Sequence, residues 1–453
     1  MNKFSVIALS LLIAVGAQAS HVAVVDSGTD FGHEWLQNRT WVNTKEVAGN
    51  LVDDDRNGKV DDVVGWDFTA NYGQIFFPEH LYSLDTAKLF KLFEVIGRIQ
   101  SETDTAADRK YLDENVRNLP KDQKDALIAQ LNFYGQYAHS THVSGIVALM
   151  APQAKIMSAR VFPDAPLANL VGTSQKDKMG PVDWIYKLLA SISSQMFHQV
   201  GAYLQERGAQ VANYSLGVPL SMIAKMSLVA RGNKNPTPEQ ISAETHRMAA
   251  QYIPEGEKWM ASSPKTLFVV AAGNDGQDNN VYPTFPANVR ATNSITVAAT
   301  LGNAKLASFS NYGETTVDIA APGTAIMSSV PSLEQNTVLP MSGTSMAAPY
   351  ITGVAAHILD VNPALTAQQV KAVLMGTVDH KEWLVKKVVS GGLVNPTRAY
   401  KAAELMASMP MDQALAQANS LVADQPVADV PARPAGFNAH TQELRDFANS
   451  IVF

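Results

Sequence analysis

The chain contains no cysteine. Disulfides and thiolate metal centres are therefore excluded. It has no surplus of positive charge: its formal net charge of −7 argues against nonspecific nucleic-acid binding. No apolar run is long enough to cross a bilayer. The best candidate, residues 4–16, falls well short of the ~20 residues a spanning helix needs. The pattern His-Glu-x-x-His is also missing. His139 and His142 stand three apart, but no glutamate accompanies them, so a metalloprotease reading is poor. What remains is an ordinary globular balance of 46% hydrophobic and 17% charged residues. A length of 453 residues allows one large or two medium domains.

The short apolar run reads as the core of a signal peptide. Lys3 precedes it, and Ala17-Gln18-Ala19 forms an A-x-A cleavage site. Residue 20 is Ser rather than Cys, which excludes a lipoprotein signal. Residues 1–19 are thus expected to be removed, leaving an exported protein, secreted or periplasmic, with no membrane anchor.

HVAVVD (21–26) is a continuous apolar run closed by an acid, the pattern of a strand buried on both faces. Asp26 then falls at the strand's carboxyl end, where open α/β sheets place their sites. Similar β-rich runs recur at 154–162, 209–217, 266–274 and 294–300, separated by helical segments such as 182–207. This alternation predicts an α/β fold: a doubly wound, mostly parallel sheet with helices on both faces. Two helical insertions are expected, over about 78–135 and 219–263. In the first, Leu89, Leu92, Phe93, Ile96 and Ile99 share one helix face. From Met409 onward Ala, Pro, Gln and Asp dominate, which reads as a mobile tail over 409–453 with one short amphipathic helix at its end. The main domain is placed at 20–408.

Three stretches carry candidate chemistry. In DDDRNGKVDD (53–62), Asp53, Asp55 and Asn57 alternate and Gly58 supplies a sharp turn, as in the first half of a calcium loop. The twelfth position of that loop is Val64, so Asp61 or Asp62 would have to close the site. A structural calcium ion is expected here, because five carboxylates in ten residues repel one another; the alternative is a solvated acidic turn. In AHSTHVSGIVALM (138–150), His139 and His142 are either a metal pair on one helix face or one base beside one packed histidine. In MSGTSMAAP (341–349), Ser345 lies at a helix start. Unpaired N–H groups and the positive end of the helix dipole suit a nucleophile there, or Ser345 simply caps the helix.

Together these stretches resemble the subtilisin-like serine protease family. VVDSG around Asp26, HSTHVSG around His139 and GTSMAAP around Ser345 match it in the family's order of Asp, His, Ser. NYSLG (213–217), VVAAGNDG (269–276), ASFSNYG and DIAAPGTAIMSS continue the likeness. The resemblance implies Ser345 as nucleophile, His139 as general base and acid, Asp26 as its orienting carboxylate and Asn274 as the side-chain oxyanion donor. It further implies that Ser215-Leu216-Gly217 and Ala271-Ala272-Gly273 pair with an extended peptide substrate and wall the first specificity pocket. Val281, just before Tyr282-Pro283, is expected at the base of that pocket. The chain departs from the family at Ser140 (usually Gly) and Ser144 (usually Ala), in its long insertions, and in leaving no room for an N-terminal pro-domain ahead of the Asp26 strand. The implied function is an exported serine endopeptidase acting as a monomer on proteins or peptides. A silent scaffold and a transpeptidase are the competing classes.

Overall fold

The computed structural model describes residues 19–162, 194–334 and 336–426. Its centre is a ten-stranded sheet. The strands, in chain order, are β1 (His21–Asp26), β2 (Gly65–Asp67), β3 (Lys155–Arg160), β4 (Val211–Tyr214), β5 (Val218–Pro219), β6 (Leu267–Ala271), β7 (Thr284–Phe285), β8 (Ser294–Leu301), β9 (Lys305–Leu306), β10 (Ile319–Pro322), β11 (Ile326–Ser329), β12 (Val338–Met341), β13 (Asp379–His380) and β14 (Gly392–Leu393). The sheet order is β13-β14-β10-β8-β6-β4-β1-β3-β2, with β9 on β8. All its pairings are parallel except β13–β14 and β8–β9. A hairpin, β11–β12, and a short antiparallel pair, β5–β7, stand apart.

The helices are α1 (Thr86–Gln100), α2 (Ala106–Leu112), α3 (Lys121–Met150), α4 (Ser194–Glu206), α5 (Leu220–Ala230), α6 (Pro238–Ala261), α7 (Thr344–Val361), α8 (Ala367–Gly376), α9 (Pro396–Leu405) and α10 (Met411–Leu421). The continuous apolar runs serve both faces of the sheet, since side chains alternate along a strand. Val22 and Val24 of β1 join the core built with α3, α7 and α8. Ala23 and Val25 join the opposite core, where Phe197 of α4 stacks on Trp259 of α6 with centroids 4.9 Å apart. From β1 the chain steps out to β3 on one side and returns to β4, β6, β8 and β10 on the other. Asp26 ends β1, and Ser215 and Asn274 follow the carboxyl ends of β4 and β6, beside this reversal of direction.

The doubly wound fold matches the expectation, with two local differences. The end of the first insertion and the helical stretch 138–150 are one helix of thirty residues. Only Gly135 and Gly145 interrupt its pattern, and an isolated glycine costs a helix about 1 kcal/mol without ending it. Residues 411–421 are helical rather than tail-like. Ala414 and Ala418 are buried, and Leu415 lies against Gly376. Composition concealed this helix because its buried stripe is alanine, small enough for close approach. Just beyond it, Arg398 binds the Val422 carbonyl and the Asp424 carboxylate. The first part of the expected helix 182–207 and the terminal helix of the tail lie outside the described residues, as does nearly all of the signal peptide. No helix among the described residues is long and apolar enough to cross a membrane.

Candidate active site

Asp26 ends β1 and is buried. Both of its carboxylate oxygens reach His139 Nδ1, at 2.8 and 2.9 Å. Oδ1 also accepts the Ser27 backbone N–H at 2.7 Å. A buried carboxylate on Nδ1 selects the tautomer that carries its proton there, which leaves Nε2 as the basic nitrogen. Hydroxyl groups pin the His139 turn of α3 from several sides. Ser27 Oγ donates to Gln136 O, and Thr29 Oγ1 stands 2.9 Å from both Ser140 Oγ and Ser144 Oγ. The two positions that depart from the family pattern are thus used together on one partner.

His142 faces away from Asp26. Its Nε2 reaches Ile326 O and Leu339 O, at 2.9 and 3.0 Å, so it bridges the β11–β12 hairpin. Two carbonyl acceptors require Nε2–H. Nδ1 is buried without a partner, and burial pushes the imidazole's pKa down to about 3. The metal-pair alternative fails on this geometry: one histidine serves Asp26 and the other serves a hairpin.

Ser345 is the second residue of α7, after Gly343 at the N-cap. Its Oγ is 3.2 Å from Ser215 O, while Ser215 Oγ donates to Ser345 O at 2.8 Å. Asn213 and Thr352 extend this linkage, so the start of α7 is tied to the end of β4. Asn274 Oδ1 accepts both the Thr344 N–H (2.8 Å) and the Thr344 hydroxyl (2.9 Å). Thr344 Oγ1 in turn accepts from Gly273 N at 3.1 Å. With its oxygen fixed by two donors, the amide is oriented, and its NH2 group points away from Thr344.

The two expected wall segments follow β4 and β6. Leu216, Ala271 and Ala272 are buried, and Gly217 is exposed. Gly273 has φ +111°, and a Cβ there would stand 2.4 Å from Asn311 Nδ2. Asn311 Oδ1 accepts from Asp275 N and Gln277 N, and so shapes the loop that carries Asn274. Sequence reading missed Asn311, whose only signal was its place in ASFSNYG. Val281 is 42% exposed and its carbonyl accepts Ser242 Oγ, so it does not fill a pocket base. Thr284 is the side chain that lies against both wall segments. Its methyl would lie 3.3 Å from a Cβ on Gly217 and 3.6 Å from one on Gly273, so it sits between the two walls.

In the acidic loop, Glu46, Asp55 and Asp62 are the carboxylates that converge among the described residues, with oxygens within 4.8 Å of one another. Glu46 was not foreseen, because it precedes the acidic run. Asp53 instead accepts the N–H groups of Asn57 and Gly58, and Asp61 those of Gly49 and Leu51. Arg207 pairs with Asp55 at 2.6 Å and with Asp62 at 3.2 Å. Burial pushes the Asp62 carboxyl up. At Asp55 burial acts in the same direction, but hydrogen bonds from Asn43 and Arg207 outweigh it and hold the carboxyl below its usual range. The repulsion inferred from sequence is therefore relieved in part by one arginine and by backbone donors.

The chain matches the model of the Subtilase family over residues 17–402. It belongs to that family. It is 30% identical over 273 residues to an extracellular protease of Xanthomonas campestris, covering 58% of this chain and 40% of that protein. It is also 30% identical over 241 residues to thermitase of Thermoactinomyces vulgaris, covering 53% of this chain and 67% of that one. The match thus spans less than half of the Xanthomonas protein. Among solved structures, a cold-adapted subtilisin-like serine proteinase aligns at a TM-score of 0.41 and 19% identity, covering 84% of this chain and 88% of that one.

Proposed function

We propose that this chain is an exported serine endopeptidase that works through an acyl-enzyme on Ser345. The observation that carries the reading is the buried Asp26–His139 hydrogen bond, in a fold where Ser345 opens α7 and Thr344 orients the Asn274 amide. A serine hydroxyl is a poor nucleophile until an imidazole takes its proton. Ser345 Oγ attacks the scissile carbonyl as its proton moves to His139 Nε2. Asp26 stays ionised and stabilises the imidazolium through Nδ1–H. The Asn274 NH2 and the Ser345 N–H receive the oxyanion, already in place before charge develops. His139 then gives the proton to the leaving amine. Water, activated by the same imidazole, releases the acyl group.

Ser215–Gly217 and Ala271–Gly273 would hold the substrate backbone as an extended strand, which gives little sequence preference beyond the first pocket. Thr284 at the base of that pocket favours small and medium apolar side chains over Phe or Tyr. Export rests on the signal-like residues 1–19, and relatives named extracellular protease and extracellular serine proteinase support it.

A calcium ion fits the acidic loop. Asp55 Oδ1 and Asn57 Oδ1 are buried without partners, and of the three converging carboxylates the Arg207 guanidinium pairs with two, Asp55 and Asp62. Glu46, Asp55, Asn57 and Asp62 would hold the ion, with Asp53 and Asp61 shaping the loop around them. Its contribution would be structural.

A fluorophosphonate probe tests the central reading. Labelling of the wild type but not of Ser345→Ala supports it, and an unlabelled wild type returns the chain to the scaffold class.

A further inference from the structure

The helical insertion between β2 and the His139 turn reaches the segment that delivers Ser345. Three contacts make this link. A Cβ on Gly97 of α1 would stand 2.7 and 2.8 Å from the Pro340 ring, so α1 lies directly on β12. Tyr134, in the inserted half of α3, is buried and donates to Pro331 O at 2.8 Å. Gln100, the last residue of α1, is buried, and its Oε1 accepts the Ser342 hydroxyl at 2.6 Å. Ser342 Oγ in turn accepts from Ala325 N at 2.8 Å. Ser342 follows β12 directly, precedes the Gly343 N-cap and stands three residues before Ser345.

We infer that the insertion is a brace for the nucleophile, with Gln100 as its positioning residue. Gly97 and Gln100 lie three apart on α1 and so present one face to β12 and the turn beyond it. Packing alone does not call for an amide at position 100, since an apolar side chain of similar size would fill the space. Burying an amide is costly unless it is hydrogen-bonded. Its Oε1 meets the hydroxyl that also closes the 325–342 link, and the turn from β12 into α7 is thereby fixed from outside the sheet. Gln100 touches no reacting atom. It acts through Ser342 on where Ser345 Oγ stands relative to the His139 imidazole. This inference rests on the proposed role of Ser345.

The test compares wild type, Gln100→Leu, Ser342→Ala and the double variant, each far below its melting temperature. The readouts are kcat and KM on one peptide substrate and the rate of fluorophosphonate labelling. A shift of about 1 Å at a reacting group can cost ~10²-fold in rate, so loss of one hydrogen bond to the turn should cost about tenfold. The expected result is a matching fall in kcat and labelling rate within each single variant, at least as large in Ser342→Ala because it also loses the Ala325 link, with an unchanged KM and a double variant no slower than Ser342→Ala. Wild-type rates in the folded single variants would overturn the brace, as would a loss confined to KM or additive losses in the double variant. If Gln100→Leu fails to fold, Gln100→Met decides, since it keeps the unbranched side chain and removes the amide acceptor alone. An unlabelled wild type would instead refute the nucleophile reading itself, so the two failures are distinguishable.

Discussion

Acid should destabilise this protein through one residue, His142. Its imidazole is fully buried, neutral and committed through Nε2–H to two carbonyls of the β11–β12 hairpin. Burial is the main cause of its depressed pKa of about 3, and the nearby His139 adds to it. In the unfolded chain the group returns to about 6.5. Between those values the unfolded state binds the extra proton, so stability must rise with pH through this window and fall as pH drops. Each unit is worth about 1.4 kcal/mol. At pH 5 the chain has descended one and a half units, a loss of ~2 kcal/mol; by pH 3 it reaches ~5 kcal/mol. The assay is urea unfolding of the Ser345→Ala protein, which avoids self-digestion, at pH 8 and pH 5. His142→Gln is the comparison, since its amide N–H can meet the same carbonyls without titrating. Other groups contribute equally to both proteins, so the difference between the two pH dependences isolates His142. A difference near ~2 kcal/mol is expected. Equal pH dependence in the two proteins would refute the assignment of His142 as the buried neutral bridge.

Three further outcomes follow from the site. Asn274→Ala should lower kcat by ~10²–10³ with little change in KM, a magnitude borrowed from subtilisin itself, and steady-state kinetics would check it. Thr284→Gly should raise kcat/KM for Phe over Ala at the scissile residue by ~10–100-fold, the range open to a hydrophobic pocket; an unchanged peptide-library profile would remove Thr284 from the pocket base. Millimolar calcium should raise the melting temperature over that in chelator, with ~2.7 kcal/mol at a hundredfold excess over Kd, and Asp55→Asn should abolish the shift.

The fold was largely readable because β1, β3, β4, β6 and β8 are buried on both faces and so appear as unbroken apolar runs. β11 and β12 were not read, because they form a short hairpin with Pro331 in its connection and Pro340 inside β12, and no such run. α10 hid behind its alanine stripe. At the site, Asp26 and His139 are 113 residues apart, a separation that no local pattern connects. Only the ordered family motifs joined them. The fixing of the Asn274 amide by Thr344 is a product of tertiary contact, as is the convergence of Glu46 on the acidic loop. The expectation at Val281 failed because the chain offers two X-Pro steps, at Pro283 and Pro286. The residue between the wall glycines belongs with the second, where Thr284 and Phe285 pair with β5.

The most direct measurement is digestion of a peptide library by the purified chain, with Ser345→Ala in parallel and products identified by mass. The account predicts internal cleavage to free carboxylates by the wild type and a loss of ~10⁶ in turnover in the variant, again the magnitude found in subtilisin. Cleavage that persists in Ser345→Ala, or a folded wild type that cuts nothing, would contradict it.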